Sequence, residues 1–219
     1  MNAAPGDPVG LLGGSFDPIH VGHLRLATDA LQQLALAQVR FVPAGLAWQK
    51  GALADAGHRM RMVQRAIARE PRFVLDAREL QRAGPSYTVD TLRELRAELG
   101  PAAPLVLLVG ADQFERLDTW HRWDELIGLA HLAVARRQEH ASNLAPQLLA
   151  FRAAHLAPAD EVARRPAGAL IDLSMAPIDC SSTQIRALLR EAGAQADARL
   201  QDLLAPGVLD YIRQHRLYV

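Results

Sequence analysis

The sequence contains one cysteine, Cys180, among its 219 residues. A single thiol allows no disulfide within the chain and excludes a zinc site built from several cysteines. The residues around Cys180 offer nothing that would stabilise a thiolate. We therefore predict that Cys180 packs as a small buried hydrophobe and does not act as a nucleophile.

The chain also lacks a net charge, because 24 Lys and Arg residues balance 24 Asp and Glu residues. Proteins that bind long nucleic acids usually carry a basic excess, so we expect no nucleic-acid partner. Small phosphorylated ligands need only a few local charges and stay possible. Lys50 is the only lysine, and Gly51 follows it. A Walker A motif needs Ser or Thr after its lysine, so the chain is not a P-loop NTPase.

Long apolar runs are missing as well. No stretch approaches the roughly 18 apolar residues that a membrane span requires. The first residues, MNAAPGDPVGLLGGSF, lack the basic segment and the apolar segment of a secretion signal. We therefore expect a cytoplasmic protein with no membrane partner. Apolar residues make up 50% of the chain, which is enough to form the core of a single domain over residues 1–219.

Short apolar runs alternate with helical patterns along the chain and predict the fold. Helices are expected at 23–36, at 60–69 and at 88–99, the last capped by Thr88. Apolar strands alternating with helices indicate an α/β fold, a Rossmann-like doubly wound parallel sheet with helices on both faces. Ligands of such folds bind beyond the carboxyl ends of the strands. The predicted strands are 9–12, 40–42, 73–75, 105–109, 132–135 and 170–173, whereas 138–168 gives no clear pattern.

The loop after the first predicted strand reads GGSFDPIHVGH over residues 13–23. Its two glycines allow the backbone to approach an anion, and the helix entered at His23 offers N–H groups to a phosphate. His20 and His23 could both face one bound group and stabilise developing charge. The alternatives are an ordinary turn with incidental histidines, or a metal-binding pair. We expect His20 to contribute little to stability, and Asp17 to fix the turn rather than bind a metal.

A second motif, CSSTQIR, occupies residues 180–186 in a C-terminal helical part that begins at about residue 175. Ser181 and Gln184 have the spacing of a capping box, so a helix should begin here. The motif could be no more than this cap. Arg186, one turn into the helix, suits a triphosphate. We therefore predict that the two helix N-termini flank one polyphosphate.

The two motifs, GGSFDPIHVGHL and SSTQIR, resemble the paired signatures of the HIGH-type nucleotidyltransferase superfamily. The chain between and after them resembles bacterial nicotinate-nucleotide adenylyltransferases in order and spacing, through FVPAG, LDARELQRAGPSYTVDTL, LLVGADQFERLDTWHRWDEL, HLAVARR and PGVLDYIRQHRLY. The stretches PSYT, GADQF and TW point to the nicotinate member. Two positions depart from the family. Gln49 stands where a histidine is common, so it receives no role, and Cys180 replaces the usual isoleucine.

The resemblance implies that the phosphate of nicotinate mononucleotide attacks the α-phosphorus of ATP and gives deamido-NAD and pyrophosphate. This nucleophile is anionic at neutral pH, so no general base is needed, and catalysis should consist of positioning and charge stabilisation. Magnesium (Mg2+) is expected to accompany the triphosphate with few or no protein ligands. We expect no dedicated metal site in the chain.

The resemblance also implies roles for individual residues. His20, His23 and Arg186 are the expected catalytic residues. Contacts to ATP are expected from these three and from Gly13, Gly14, Ser15, Phe16, Arg136, Ser181 and Ser182. The expected contacts to nicotinate mononucleotide are Lys50, the helix start at Ser86, Tyr87 and Thr88 for the carboxylate, Asp112 for a ribose hydroxyl, and Trp120 for stacking on the pyridine ring.

Several alternatives stay open. The acceptor could be nicotinamide mononucleotide, which nearby Asp90 would favour, or phosphopantetheine. The chain could be a non-catalytic nucleotide-sensing protein, and an NAD-dependent oxidoreductase would need the glycine fingerprint that this sequence lacks. Trp120 could simply pack in the core. The histidines without a supporting motif are expected to be structural or exposed: His58, His121, His131, His140, His155 and His215.

Overall fold

Six strands form one sheet in a computed structural model of the chain, which describes residues 6–45, 53–136, 144–191 and 193–218. The strand order is β3-β2-β1-β4-β5-β6, and β1, β4, β5 and β6 pair in parallel. This is the strand order of the dinucleotide-binding folds, so the predicted Rossmann-like doubly wound fold is confirmed. The strands are Val9–Gly14 (β1), Gln38–Pro43 (β2), Phe73–Leu75 (β3), Leu105–Gly110 (β4), His131–Arg136 (β5) and Leu170–Ser174 (β6).

Ten α-helices accompany the strands within the described residues. Three short 3-10 helices lie at Leu117–Thr119, Trp123–Glu125 and Ala159–Ala163. None of the helices in the described ranges is both long enough and apolar enough to cross a membrane. The α-helices are Val21–Gln33 (α1), Ala56–Ile67 (α2), Arg78–Gln81 (α3), Thr88–Leu99 (α4), Ala111–Phe114 (α5), Leu126–Leu129 (α6), Pro146–His155 (α7), Ser182–Arg190 (α8), Ala194–Leu203 (α9) and Pro206–Gln214 (α10).

The three helices with clear sequence patterns are all present, but two begin earlier than predicted. Helix α1 begins at Val21, and α2 begins at Ala56, because Asp55 accepts a hydrogen bond from the N–H of Gly57 at 2.8 Å. The predicted cap of α4 is wrong. Tyr87 occupies the N-cap position without a side-chain hydrogen bond, and Thr88 is already the first helical residue.

The chain divides into two compact units, each assembled from segments that are distant in sequence. Unit 1 comprises Met1–Leu12, Leu26–Arg40 and Tyr87–Pro177. Unit 2 comprises Gly13–Arg25, Phe41–Ser86 and Ile178–Val219. The two candidate phosphate-binding motifs thus fall in the same unit. The single domain over residues 1–219 stays a prediction.

The core of unit 1 consists of the buried parallel strands and the apolar face of α4. Residues 105–109 of β4 are all buried, as expected for a central strand covered on both faces. Arg96 connects the surrounding loops. Its guanidinium donates to the carbonyl of Leu129 at 2.6 Å and to the carbonyl of Pro166 at 3.1 Å. It also donates to the carbonyl of Ala103, so one side chain fixes three turns.

His131 is fully buried in unit 1 and bonded at both ring nitrogens. Its Nε2 lies 2.8 Å from the carbonyl of Arg165, and its Nδ1 accepts the N–H of Ala169 at 3.1 Å. This arrangement requires a neutral ring with its proton on Nε2. Burial lowers the pKa of His131, and the charges of Arg165 and Arg96 act in the same direction. His131 is therefore a structural residue, as the sequence predicts.

The core of unit 2 is built around aromatic rings. Phe41 of β2 packs edge-on against Phe73 of β3, with 5.1 Å between ring centroids. It also lies 6.0 Å from Phe16, which is only 1% exposed. Helix α10 packs on α2, and α9 contacts both α8 and α10. The motif loop that contains Phe16 is thus anchored in the core of the unit.

The buried His131 should make the stability of the protein pH-dependent. Folding lowers the pKa of His131. Below the ordinary histidine pKa of about 6.5, the unfolded chain therefore binds a proton at His131 that the folded chain does not bind. The contribution of neutral His131 to the free energy of unfolding is full above that pH. Below it, the contribution decreases by up to about 1.4 kcal/mol per pH unit. The free energy of unfolding is measured by chemical denaturation from about pH 5 to about pH 8, which spans the ordinary titration of histidine. Its decrease towards acidic pH should be shallower for His131→Gln than for the wild type. The exposed His121→Gln serves as control and should keep the wild-type slope. An unchanged slope in His131→Gln would contradict this account.

Candidate functional site

The first motif forms a loop whose polar side chains are buried. Ser15 and His20 are each 8% exposed, and Asp17 is 2% exposed. We expected His20 to contribute little to stability, but its buried ring argues against that expectation, since its removal would leave a space in the loop. The Phe16 side chain belongs to the core, so only its main chain could make the predicted contact to ATP. Gly13 is exposed, and Gly14 is half-buried.

His20 and His23 lie ring against ring at the start of α1. Their centroids are 3.8 Å apart with 32° between the planes, and the rings of Phe16 and His23 form a T-shaped pair with 5.1 Å between centroids. The N–H of His20 donates to Nδ1 of His23 at 3.2 Å. A neutral His23 therefore carries its proton on Nε2, which makes that nitrogen a donor. The main-chain bonds of His23 and Leu24 to the carbonyl of His20 place His23 in the first turn of α1.

The second motif begins α8 as the capping-box spacing predicts. The Oγ of Ser181 accepts the N–H of Gln184 at 3.2 Å, and the helix starts at Ser182. Cys180, just before it, is half-buried, and burial raises the pKa of its thiol. It is thus less buried than predicted, yet its surroundings favour the unreactive thiol.

The two motifs contact each other directly, although they are far apart in sequence. Nη1 of Arg186 donates to the carbonyl of Asp17 at 2.7 Å, and Oγ of Ser182 donates to the carbonyl of Pro18 at 3.0 Å. Nη2 of Arg186 lies 3.3 Å from Oγ1 of Thr183, and the side chain is 28% exposed. The guanidinium is therefore held in one place with part of its donor surface open. The structure thus unites the motifs, and the binding of a phosphate between them stays a prediction.

Asp17 is the centre of this arrangement. Its Oδ1 accepts the N–H of Ala54 at 3.2 Å and the O–H of Tyr218 at 2.7 Å, while Oδ2 lies 3.8 Å from Nη1 of Arg186. Burial and the hydrogen bond to Asp17 raise the pKa of Tyr218 far above its usual value, so Tyr218 stays protonated and donates. These contacts support the prediction that Asp17 fixes the turn. Within the described ranges, no group of three or more His, Cys, Asp or Glu side chains could hold a metal ion.

Arg59 of α2 is a second organising residue, and the sequence reasoning missed it. It is 2% exposed, and its guanidinium donates to the carbonyls of Ser15 at 2.9 Å, Ala44 at 2.7 Å, Ala54 at 3.0 Å and Gly45 at 3.2 Å. Desolvation lowers its pKa, and the charge of Asp17 opposes this effect. Arg59 therefore joins the first motif to the loop after β2. Its position on the same helical face as Met62 and Val63 was the available signal.

Ser86 takes part in the support of that same loop. Its Oγ accepts the N–H of Gly45 at 3.1 Å. A Cβ on Gly45 would meet the carbonyl oxygen of Glu79 at 2.2 Å, so this position requires glycine. Lys50, predicted to contact the acceptor, lies outside the described residues, as do Ala47, Trp48 and Gln49.

The other predicted contact residues belong to unit 1. Tyr87 and Thr88 begin α4, and the ring of Tyr87 lies 4.3 Å from that of His121. Trp120 is half-buried, which speaks against a purely core role. Asp112 is exposed at the start of α5, where its Oδ2 accepts from Gln113 at 3.0 Å. Arg136 ends β5.

An ion-pair network lies beside these residues in unit 1. Arg93 donates to Asp90 at 3.2 Å and to Glu125 at 2.5 Å, and Glu125 also pairs with Arg122. The network ties the first turns of α4 to the segment that follows Trp120. It also gives Asp90, two positions after Thr88, a cationic partner.

Comparison with known families gives one match over most of the chain. The model of the family described as cytidylyltransferase-like matches residues 11–188. This range begins within β1, before the first motif, and ends within α8, after the second. Both motifs, and the contact between them, therefore lie inside the matched region.

Full-length relatives have similar sequences. A protein of Laribacter hongkongensis, named probable nicotinate-nucleotide adenylyltransferase, is 47% identical over 220 residues, which cover 100% of this chain and 97% of the relative. A protein of Dechloromonas aromatica with the same name is 44% identical over 217 residues, which cover 97% and 98% of the two chains. The similarity therefore includes the segments that lie outside the family model.

Solved structures show the same fold. The Plasmodium falciparum nicotinic acid mononucleotide adenylyltransferase complexed with NaAD gives a TM-score of 0.72 at 18% identity, with 97% of each chain covered. The same enzyme complexed with APC gives a TM-score of 0.68 at 17% identity, also with 97% of each chain covered. At this identity the likeness concerns the fold alone.

Arg59 should be indispensable to unit 2. Arg59→Lys keeps the charge, but a single ammonium group cannot reach four carbonyls arranged for a planar guanidinium. We expect the free energy of unfolding to fall by about 3 kcal/mol or more, as for the loss of at least two hydrogen bonds to a charged group. The matched control is Arg61→Lys, an exposed position on the same helix. Equal denaturation midpoints for the two variants would show that Arg59 does not organise the loops.

Proposed function

This chain belongs to the nicotinate-nucleotide adenylyltransferases of the cytidylyltransferase-like family, and on that basis we propose that it transfers the adenylyl group of ATP to nicotinate mononucleotide, releasing deamido-NAD and pyrophosphate. The observation that carries the proposal is the direct contact between the two motifs, where Arg186 bonds to the carbonyl of Asp17 at 2.7 Å. This contact places a guanidinium beside the loop that ends in His20 and His23, as a site for a triphosphate requires.

The triphosphate of ATP would lie between the N-termini of α1 and α8. Nε2 of His23 is a donor, because Nδ1 is occupied by the N–H of His20. Arg186 uses two of its nitrogens to hold its position, and a planar guanidinium with five N–H groups has donors left for a phosphate. The hydroxyls and N–H groups of Ser15, Ser181 and Ser182 would complete the set. Since these groups are held in place before ATP binds, little reorganisation is needed in the transition state.

The transfer needs no base from the protein. The attacking phosphate is anionic at neutral pH, so the residues of the chain orient the two substrates and stabilise the charge that develops on the α-phosphate and the leaving pyrophosphate. No covalent enzyme intermediate forms. Cys180, with its raised thiol pKa, takes no part.

Magnesium would come with the triphosphate. Asp17 is the carboxylate nearest to the motifs, and its Oδ1 already accepts two hydrogen bonds. We therefore assign no residue of the chain to magnesium. The ion would neutralise phosphate charge while bound to the nucleotide.

Tyr87, Thr88, Asp112 and Trp120 are the proposed contacts of the acceptor in unit 1. The side chain of Tyr87 makes no capping hydrogen bond at the start of α4, and the N–H groups of a helix start suit the carboxylate of nicotinate. Trp120 offers a half-exposed ring for stacking, and Asp112 offers an exposed carboxylate for a ribose hydroxyl. Gly13, Gly14, Phe16 and Arg136 would complete the ATP contacts, and Lys50 and Ser86 those of the acceptor. The cytoplasmic location and the absence of nucleic-acid and membrane partners stay predictions.

The choice of acceptor is the sharpest test of this proposal. We expect kcat/KM for nicotinate mononucleotide to exceed that for nicotinamide mononucleotide by about 100-fold or more, because an amide NH2 would face helix-start donors and leave them unpaired. Asp90 could accept a hydrogen bond from the amide of nicotinamide, but Asp90 already pairs with Arg93 at 3.2 Å. Pyrophosphate release is measured with each acceptor, and with phosphopantetheine, at fixed ATP and magnesium. Equal values for the two mononucleotides would show that the acceptor site is wrongly assigned. ATP binding without turnover of any acceptor would favour a nucleotide sensor.

His20 should be needed for the chemical step. We expect His20→Asn, which fills part of the buried space, to lower kcat by about 100-fold, the scale for loss of one donor at the transition state. The control is His155→Asn in α7, which lies outside both motifs and should turn over normally. Turnover of a folded His20→Asn protein at the control rate would remove His20 from the mechanism.

A further inference from the structure

Tyr218 contributes to the first motif from the far end of the chain. Its phenolic O–H donates to Oδ1 of Asp17 at 2.7 Å, and the two residues are 201 positions apart in sequence. Asp17 is 2% exposed, so water has little access to its carboxylate. The charge of this carboxylate is therefore satisfied almost entirely by protein groups.

Those groups fall into two sets. Oδ1 accepts the N–H of Ala54 and the O–H of Tyr218, both within hydrogen-bond distance. The nearest cation on the other side is Arg186, whose Nη1 lies 3.8 Å from Oδ2 and donates instead to the main-chain carbonyl of Asp17 at 2.7 Å. Arg186 thus lies close to the carboxylate of Asp17 without forming a hydrogen bond to it.

From this geometry we propose that Tyr218 is a positioning residue for ATP: by hydrogen bonding to Asp17, it keeps Arg186 from closing onto that carboxylate and leaves the guanidinium open to the triphosphate. The proposal rests on the proposed function of Arg186. It assigns to Tyr218 no contact with a substrate. Its action passes through Asp17 alone.

The physical reason is the cost of an undersolvated buried charge. Without the hydroxyl of Tyr218, Asp17 loses one of the two donors on its side chain, and no water can replace it at 2% exposure. Nη1 of Arg186 lies 3.8 Å from Oδ2, so a movement of about 1 Å, with loss of its bond to the main-chain carbonyl of Asp17, would form a direct ion pair of the usual geometry. A guanidinium drawn into that pair leaves the position that the carbonyl of Asp17 gives it, and its remaining donors are no longer aligned for ATP. Binding of ATP would then have to break the pair.

The test compares two tyrosines of the same unit. Tyr218→Phe removes the hydroxyl that meets Asp17. Tyr211→Phe is the matched control, since Tyr211 is 3% exposed and its hydroxyl also makes one side-chain hydrogen bond, to Nδ1 of His58 at 2.8 Å. Both variants keep the ring and lose one part-buried hydrogen bond between side chains, so any general loss of stability should be similar.

We expect Tyr218→Phe to raise the KM for ATP and to lower kcat/KM for ATP by about 10-fold, the scale of one hydrogen bond to a charged group. The KM for nicotinate mononucleotide should stay unchanged, because Tyr218, Asp17 and Arg186 are not among its proposed contacts. Tyr211→Phe should leave both KM values unchanged. An unchanged KM for ATP in Tyr218→Phe, or the same change in both variants, would overturn the proposal.

A double-mutant cycle isolates the path through Asp17. Asp17→Asn removes the charge that attracts Arg186, so adding Tyr218→Phe to this background should change ATP affinity far less than it does in the wild type. An equal effect in both backgrounds would show that Tyr218 acts by another path. Affinity is measured by calorimetry with ATP alone, which needs no turnover. A wild-type protein that binds ATP but forms no deamido-NAD would refute the proposed function and still allow the role of Tyr218 to be judged.

Discussion

The buried carboxylate of Asp17 is the constraint on which the candidate site depends. A charge with 2% exposure must be neutralised by fixed protein groups, and here they come from three separate stretches of unit 2. Ala54 supplies an N–H group, Tyr218 an O–H group, and Arg186 a nearby positive charge. Each of them is therefore held close to the loop that carries His20 and His23. The geometry of the site therefore follows from the need to surround the carboxylate of Asp17 with hydrogen-bond donors and positive charge.

Arg59 imposes the complementary requirement. A buried guanidinium needs acceptors, and it finds them in four main-chain carbonyls from the loops after β1 and β2. Carbonyls turned towards Arg59 cannot turn towards a ligand. The peptide groups of these loops are oriented by the protein before any nucleotide binds. A site for a polyanion benefits from this, because loop carbonyls would repel it.

Local patterns were sufficient to predict the elements that organise the site. The apolar runs located all six strands, and continuous apolar runs are typical of strands covered on both faces, although β3 is only half-buried. The spacing of Ser181 and Gln184 predicted the start of α8, since a capping bond is a local interaction. The pairing of the two motifs was also foreseen, from the electrostatics of helix ends. The family resemblance then predicted the reaction, which is adenylyl transfer.

The remaining features depend on tertiary contacts. Nothing near Tyr218 in the sequence indicates that it bonds to Asp17, 201 positions away. The cap of α4 was misplaced by one residue, because Ser86, Tyr87 and Thr88 are all compatible with a helix start and only the backbone angles of Tyr87 decide. The burial of His20 was missed for a similar reason, since a polar loop enclosed by Arg59 and Phe16 looks in sequence like an exposed one.

The discontinuous make-up of unit 2 has a consequence for how the protein is made in the cell. Its first segment, Gly13–Arg25, is synthesised well before its partners in Ile178–Val219. Contacts that close such long loops form late, because their entropy cost precedes any gain from packing. The nascent chain therefore carries the first motif without the guanidinium of Arg186 and the phenol of Tyr218 until the segment that contains both residues has been synthesised. If ATP binds between the two motifs as proposed, a product terminated before Ile178 would contain the six strands of the sheet and still lack Arg186 and Tyr218.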